Sequence, residues 1–283
     1  MHFLPWNNVE KEVDAKYIVM GVKDESGSRS MRKGAKLGPD SIRKAAYEMD
    51  MVIRHGAYSV FEIEKRKVKR ESIDIGNLEK ERVEKKVRQI VSSGRLPIVL
   101  GGDHSITSKV LKGIGSVKGK ISLIYLDAHP DMISSSSNYY GSVVYDSLEY
   151  IDPKRSIIVG VRAPEDEELE NMKKTRLKAV FWHEFEKGID HVIRRIKSTI
   201  KGEAYLSIDL DCLDPSFAPG VSTPSPGGMT SRELLYIIRN ISRKCIGMDV
   251  MEMNPNYDIN GSTAHIAARC VMEFISSGGS LET

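Results

Sequence analysis

Leu123-Ile124-Tyr125-Leu126-Asp127-Ala128-His129-Pro130-Asp131 is a short apolar run that passes directly into two acids and an imidazole. Similar runs occur at Tyr17-Ile18-Val19-Met20, Ile98-Val99-Leu100, Ile157-Ile158-Val159, Ala204-Tyr205-Leu206-Ser207-Ile208 and Ile246-Gly247-Met248. They are rich in β-branched residues and bounded by Gly, Asp or Pro, which suits strands buried on both faces of a parallel sheet. Amphipathic stretches separate them. Residues 79–93 place Val83, Val87, Ile90 and Val91 at i, i+4, i+7 and i+8, with Gly94 just beyond, and predict a helix that stops there. Residues 231–243, carrying Leu234, Leu235, Ile237, Ile238 and Ile241, predict another. Strand–helix alternation of this kind builds an α/β fold whose sheet is covered on both sides. With no repeat and no linker composition, residues 1–283 read as a single domain.

The composition narrows the function classes. A 40% hydrophobic and 29% charged chain of 283 residues can bury a large core, so a disordered tail is excluded. Cys212, Cys245 and Cys270 are too few and too scattered for a disulfide framework or a CxxC metal site; they read as free thiols in a reducing cytoplasm. Met1–Trp6 lacks the basic start of a secretory signal, and no apolar run approaches the ~20 residues that span a bilayer. A net charge of only +3 argues against a nucleic-acid surface. The basic stretch Lys65–Arg70 is flanked by Glu62, Glu64 and Glu71 and reads as a solvated face. A cytoplasmic protein without membrane or nucleic-acid partners is expected.

Four of the predicted strands end in acids and histidines. Leu100 is followed by Gly101-Gly102-Asp103-His104-Ser105, and Leu126 by the Asp-Ala-His-Pro-Asp quoted above. The run from Ala204 ends in Asp209-Leu210-Asp211-Cys212-Leu213-Asp214, and that from Ile246 in Asp249-Val250-Met251-Glu252. Ligands of open parallel sheets bind beyond the carboxyl ends of strands, where these groups fall. In extended backbone, side chains at i, i+2 and i+4 share one side, so Asp127, His129 and Asp131 converge, as do Asp209 and Asp211. Taken alone, an Asp-x-Asp is ordinarily a turn or cap, and a lone His a hydrogen-bonded core residue. Together the acids would repel one another, a penalty that bound divalent cations remove. Asp127, Asp131, Asp209 and Asp211 supply four negative charges against two M²⁺ ions, and His104 and His129 add neutral imidazoles. An oxygen-rich set without thiolate favours Mn²⁺; Fe²⁺, Co²⁺ and catalytic Zn²⁺ remain open. Cys212 should face the core. Asp103 and Asp214 are candidates for orienting the liganding side chains.

Two such ions can turn a shared water into a nucleophile, chemistry that serves phosphoesters, amides and guanidines alike. Glu252, a carboxylate beyond another strand end and not needed as a ligand, could grip a planar cation bidentately. That favours a guanidinium over a phosphate.

The motifs at 101–105, 127–131, 207–220 and 248–255, in this order, resemble those of the ureohydrolase family, the agmatinases, arginases and their relatives. Arg32–Arg43, Gly160-Val161-Arg162 and Thr223-Pro224-Ser225-Pro226-Gly227-Gly228 are also similar to family segments, so the likeness spans nearly the whole chain. The resemblance implies a three-layer α/β sandwich with a mostly parallel, roughly eight-stranded sheet, and a trimer or hexamer. It implies two Mn²⁺ ions, one on His104 and Asp131, the other on His129 and Asp211, with Asp127 and Asp209 bridging both. It further implies attack of a metal-bridging hydroxide on the guanidinium carbon, proton transfer through Asp131, and a grip on the guanidinium by Glu252. The expected reaction is agmatine to putrescine plus urea, with arginine or another guanidino or formimino compound as the alternative substrate.

Two positions depart from the family pattern. Tyr140 stands where many members carry a proton-shuttling histidine, and Ser225 where agmatinases often carry glutamate. A phenol (pKa ~10) is a poorer shuttle at neutral pH than an imidazole (~6.5). Tyr140 therefore leaves open a metal-binding relative of low activity.

Overall fold

A computed structural model of the chain describes residues 6–54, 71–134 and 138–278. Lys65–Arg70 and Ser135–Ser137 lie outside the described residues. Eight strands are present among them: β1 (Tyr17–Val22), β2 (Ser72–Leu78), β3 (Leu96–Leu100), β4 (Ser122–Leu126), β5 (Ile157–Val161), β6 (Lys178–Phe181), β7 (Ala204–Asp209) and β8 (Cys245–Met251). They form one sheet in the order β2-β1-β3-β8-β7-β4-β5-β6, with every pairing parallel.

All six runs singled out in the sequence are strands, and each is buried at every position. The two strands not anticipated, β2 and β6, are the sheet's edges. An edge strand has one neighbour and tolerates polar residues. In Ser72-Ile73-Asp74-Ile75-Gly76-Asn77-Leu78 only Ser72 is buried, and in Lys178-Ala179-Val180-Phe181 only Val180.

Crossover handedness assigns the helices to faces. Parallel connections are right-handed, so a step leftward across the sheet and a step rightward place their helices on opposite sides. The step from β1 to β2 runs opposite to that from β2 to β3, which separates helix Gly38–Arg54 from helix Lys80–Ser92. Helix Ile106–Lys118 joins the second side, and Ile189–Thr199 and Ser231–Ile241, on the return from β6 to β8, join the first. The packing agrees: Lys80–Ser92 lies on Ile106–Lys118, while Ser262–Ser277 lies against both Gly38–Arg54 and Ser231–Ile241. The result is three layers.

Local chemistry sets the helix ends. Helix Lys80–Ser92 buries the expected Val83, Val87, Ile90 and Val91, and Gly94 leaves it at φ +75°. Helix Ser231–Ile241 starts with a reciprocal cap between Thr230 and Glu233, a feature worth about 1 kcal/mol. Each fully buried aliphatic side chain adds roughly 1.5–3 kcal/mol. No helix among the described residues is long and apolar enough to cross a membrane.

The topology brings the motifs together. The four strands that end in acids and histidines, β3, β8, β7 and β4, are consecutive in the middle of the sheet. Because they are parallel, all four motif loops leave from the same edge.

Candidate metal centre

Three of the motif acids turn back onto their own loops. Asp127 Oδ1 accepts from the His129 amide at 2.6 Å, Asp209 Oδ1 from the Asp211 amide at 2.7 Å, and Asp103 Oδ1 from the Ser105 amide at 2.9 Å. These are turns closed by an aspartate side chain. For Asp209 the turn uses Oδ1 and the cluster Oδ2, whereas Asp127 Oδ1 serves both, lying also 3.4 Å from His129 Nδ1. This corrects the extended-strand argument drawn from spacing: β4 stops at Leu126, Leu210–Cys212 is a 3₁₀ turn, and Asp131 adopts φ +50°. The side chains converge through tight turns. Asp131 is held in its left-handed conformation by its carbonyl, which accepts from the amides of Val144 (3.0 Å) and Tyr145 (3.3 Å). Glu252, at φ +64°, is fixed by its amide, which donates to the Gly102 carbonyl at 2.9 Å. Gly102 is required here, because a Cβ would lie 1.7 Å from the Asp24 carbonyl oxygen.

All six residues expected as metal ligands meet in one cluster. His104 Nδ1 lies 3.0 Å from Asp209 Oδ2, 3.2 Å from Asp127 Oδ2 and 3.9 Å from Asp131 Oδ2. His129 Nδ1 lies 3.2 Å from Asp211 Oδ2 and 3.4 Å from Asp127 Oδ1. Two groups able to hold an ion result, His104/Asp127/Asp209 and Asp127/His129/Asp211, and they share Asp127. Only His129 is appreciably exposed, by a quarter of its side chain.

Burial drives the carboxyls of Asp131, Asp209 and Asp211 above their ordinary range, and repulsion among the acids pushes the same way. Burial would also raise Asp127, but the two imidazoles beside it hold it below the usual carboxylate range. Burial opposes the charged form of His104 and His129, yet the surrounding acids raise both. Without a cation, protons do the compensating. Asp127 Oδ2 is buried with no hydrogen-bond partner. Four carboxylates, one of them with an orphaned oxygen, and two imidazoles are a donor set that fits divalent cations.

The groups that support this cluster were mostly missed in the sequence. His104 Nε2 is 2.8 Å from Ser207 Oγ, which donates to Asp249 Oδ1 at 2.6 Å. Asp249 Oδ2 also accepts from Thr107 Oγ1 at 2.8 Å and the Tyr205 hydroxyl at 3.0 Å. A signal existed: Ser207 is two residues before Asp209 on β7, and Asp249 is an acid inside an apolar strand. Arg162 has a second supporting role, donating to the carbonyls of Leu213 (3.1 Å) and Ser225 (2.7 Å), and also to that of Asp211. Asp103 and Asp214 do not orient the imidazoles. Asp103 Oδ2 accepts from the Gly27 amide at 2.7 Å, and Asp214 accepts from Ser216 (3.0 Å) and Gly227 (2.8 Å), so both brace loops. Cys212 is buried in the core, as expected.

A cavity opens onto the cluster, lined in part by Asp131, Glu252, Tyr139, Tyr140, Glu165 and Thr223. No lysine or arginine lines it among the described residues. Glu252 Oε1 accepts from the His104 amide at 2.9 Å, while its Oε2 is buried without a hydrogen-bond partner. Burial, and then the charge of Asp103, push this carboxyl up to about 8, against the His104 amide that favours ionisation. The Tyr140 amide donates to the Gly27 carbonyl at 3.2 Å. Burial, then Tyr139, push the Tyr140 phenol up to about 12. The Tyr139 ring meets Tyr140 edge-on at 5.1 Å, and the Arg29 guanidinium stacks on Tyr139 at 3.9 Å.

Comparison with known proteins places these features. The model of the Arginase family matches residues 15–276. An agmatinase of Neisseria meningitidis serogroup B (strain ATCC BAA-335 / MC58) is 34% identical over 286 residues, covering 96% of this chain and 90% of the relative. The crystal structure of agmatine ureohydrolase of Thermoplasma volcanium superposes with a TM-score of 0.83 at 29% identity, over 95% of this chain and 92% of that one. Proclavaminate amidino hydrolase from Streptomyces clavuligerus superposes with a TM-score of 0.85 at 25% identity, over 98% and 96% of the two chains.

Proposed function

The chain belongs to the Arginase family, and on that premise we propose that it hydrolyses a guanidino compound, agmatine before others, to an amine and urea. His104 and Asp131 would hold one cation and His129 and Asp211 the other, with Asp127 and Asp209 available to both; Mn²⁺ would suit this oxygen-rich set. The sharing of Asp127 by both groups supports that division, whereas Asp209 stands with His104 alone. When bound, the cations supply an acidified water as nucleophile. The chain's own residues do the rest. Glu252 holds the guanidinium through its free carboxyl oxygen. Asp131, in the same cavity, carries a proton towards the departing amine, and Tyr140 walls the channel beside them. We assign this activity to one catalytic domain of a cytoplasmic trimer or hexamer.

The observation that carries the reading is the cavity's charge. Glu252, Asp131 and the exposed Glu165 line the cavity, and no lysine or arginine does among the described residues. Such a channel accepts a guanidinium with a second cation behind it and offers nothing to the α-carboxylate of arginine. Urea release measured with agmatine, arginine and guanidinobutyrate in the presence of Mn²⁺ tests it. Agmatine should turn over fastest; faster turnover of arginine overturns the assignment. A second reading rests on Tyr140, whose phenol keeps its proton at neutral pH. Two ions bound per chain with no turnover of any guanidine would make this a metal-binding relative that does not hydrolyse.

A further inference from the structure

Tyr125 is the residue before the last of β4 and is fully buried. Its ring lies nearly parallel to the His104 imidazole, with centroids 4.6 Å apart and planes 16° from one another. Its hydroxyl is 3.0 Å from His104 Nδ1 and in closer contact with Asp131 Oδ2. The phenol oxygen therefore stands among the very atoms that surround the His104 side of the cluster. Among the described residues, the acids beside His129 are Asp127 and Asp211, and no phenol is hydrogen-bonded to its ring.

A neutral phenol has one proton to give, and its two neighbours compete for it unequally. His104 Nε2 is engaged with Ser207 Oγ, and in the tautomer with its proton on Nε2 the Nδ1 lone pair faces the acids. A cation on the His104 side would occupy that lone pair. The phenol proton then goes to Asp131 Oδ2, a charged acceptor that forms the stronger bond. Asp131 sits on a strained left-handed backbone in a loop, so its carboxylate gains more from an external anchor than a ligand on a strand would.

We propose that Tyr125 is a positioning residue for one of the two metal centres. Its hydroxyl donates to Asp131 and its ring braces His104, which makes the His104 centre different in affinity from the His129 centre. The inference rests on the two-ion reading of the cluster. Losing an outer partner of a metal ligand typically costs about 10–100-fold in metal affinity.

The test is Mn²⁺ titration of the full chain and of Tyr125→Phe, which keeps the ring and its stacking and removes only the oxygen. Bound and free ion are followed by electron paramagnetic resonance, with circular dichroism to verify folding. Both proteins should bind two ions, with one dissociation constant raised about 10–100-fold in the variant and the other unchanged. Two unchanged constants in a folded variant overturn the proposal. A parent chain that binds no Mn²⁺ overturns the metal reading itself, a separate outcome.

Discussion

Replacing Glu252 with glutamine separates the two jobs proposed for its carboxyl group. Oε1 accepts the His104 amide at 2.9 Å, and a glutamine oxygen can keep that bond, so the metal-side loop and the left-handed turn at 252 stay in place. Oε2 is buried without a partner, and glutamine would place an amide N–H₂ there. A guanidinium arriving at this position is itself a donor, and the new amide is another. The variant loses a charge-assisted hydrogen bond, worth about 1.5–3 kcal/mol, and leaves buried donors unsatisfied at roughly 1–3 kcal/mol more. Because the two penalties overlap, the expected loss is about 3–5 kcal/mol, or roughly 10²–10⁴-fold in kcat/KM. The assay is urea release from agmatine by Glu252→Gln and parent protein carrying equal Mn²⁺. A loss smaller than about tenfold with full metal content would show that Glu252 does not hold the guanidinium.

The same carboxyl makes a pH prediction. Its pKa rises from 4.5 to about 8 on folding, so its contribution to stability is complete below 4.5 and is lost as pH climbs through about 8. Guanidinium binds the ionised form, so in the metal-free chain agmatine affinity should rise through that same pH. Mn²⁺ should move the rise to lower pH by favouring the carboxylate; an identical midpoint with and without metal refutes this. Ser207→Ala removes the link between His104 and Asp249 and should weaken Mn²⁺ binding by about 10–100-fold. Unchanged Mn²⁺ affinity by titration would mean the imidazole is held by other contacts. Tyr140→His exchanges a phenol pushed up to about 12 for a group that titrates near neutrality, and should raise kcat with a new inflection around the imidazole range. A large fall in kcat would show that the phenol has a task of its own.

Fold and site were unequally legible in the sequence. The six central strands stood out because burial on both faces demands unbroken apolar runs, as at Leu123–Leu126. The edge strands β2 and β6 did not, since one open side admits Asp74, Asn77 and Lys178. The six cluster residues were legible because acids gathered at several strand ends would repel one another unless a cation held them, although each alone would pass for a turn or cap. Glu252 stood out by its distance from any ligand role.

The linear order of residues determined which side chains could take part: hydrophobic period defines strands, and polar residues directly after a buried strand are bound to emerge at its rim. It could not determine the contacts between strands distant along the chain. Only the packed sheet, by setting β3, β8, β7 and β4 side by side, joined His104 to Asp209 and brought Ser207, Asp249 and Tyr125 to the imidazole. Only the turned backbone at Asp127, Asp131 and Asp209, closed by hydrogen bonds to amides two residues on or to a neighbouring helix, brought these side chains into one cluster. Periodicity records the burial of each element separately, whereas a site is made of distances between elements, and those exist only once the chain has folded.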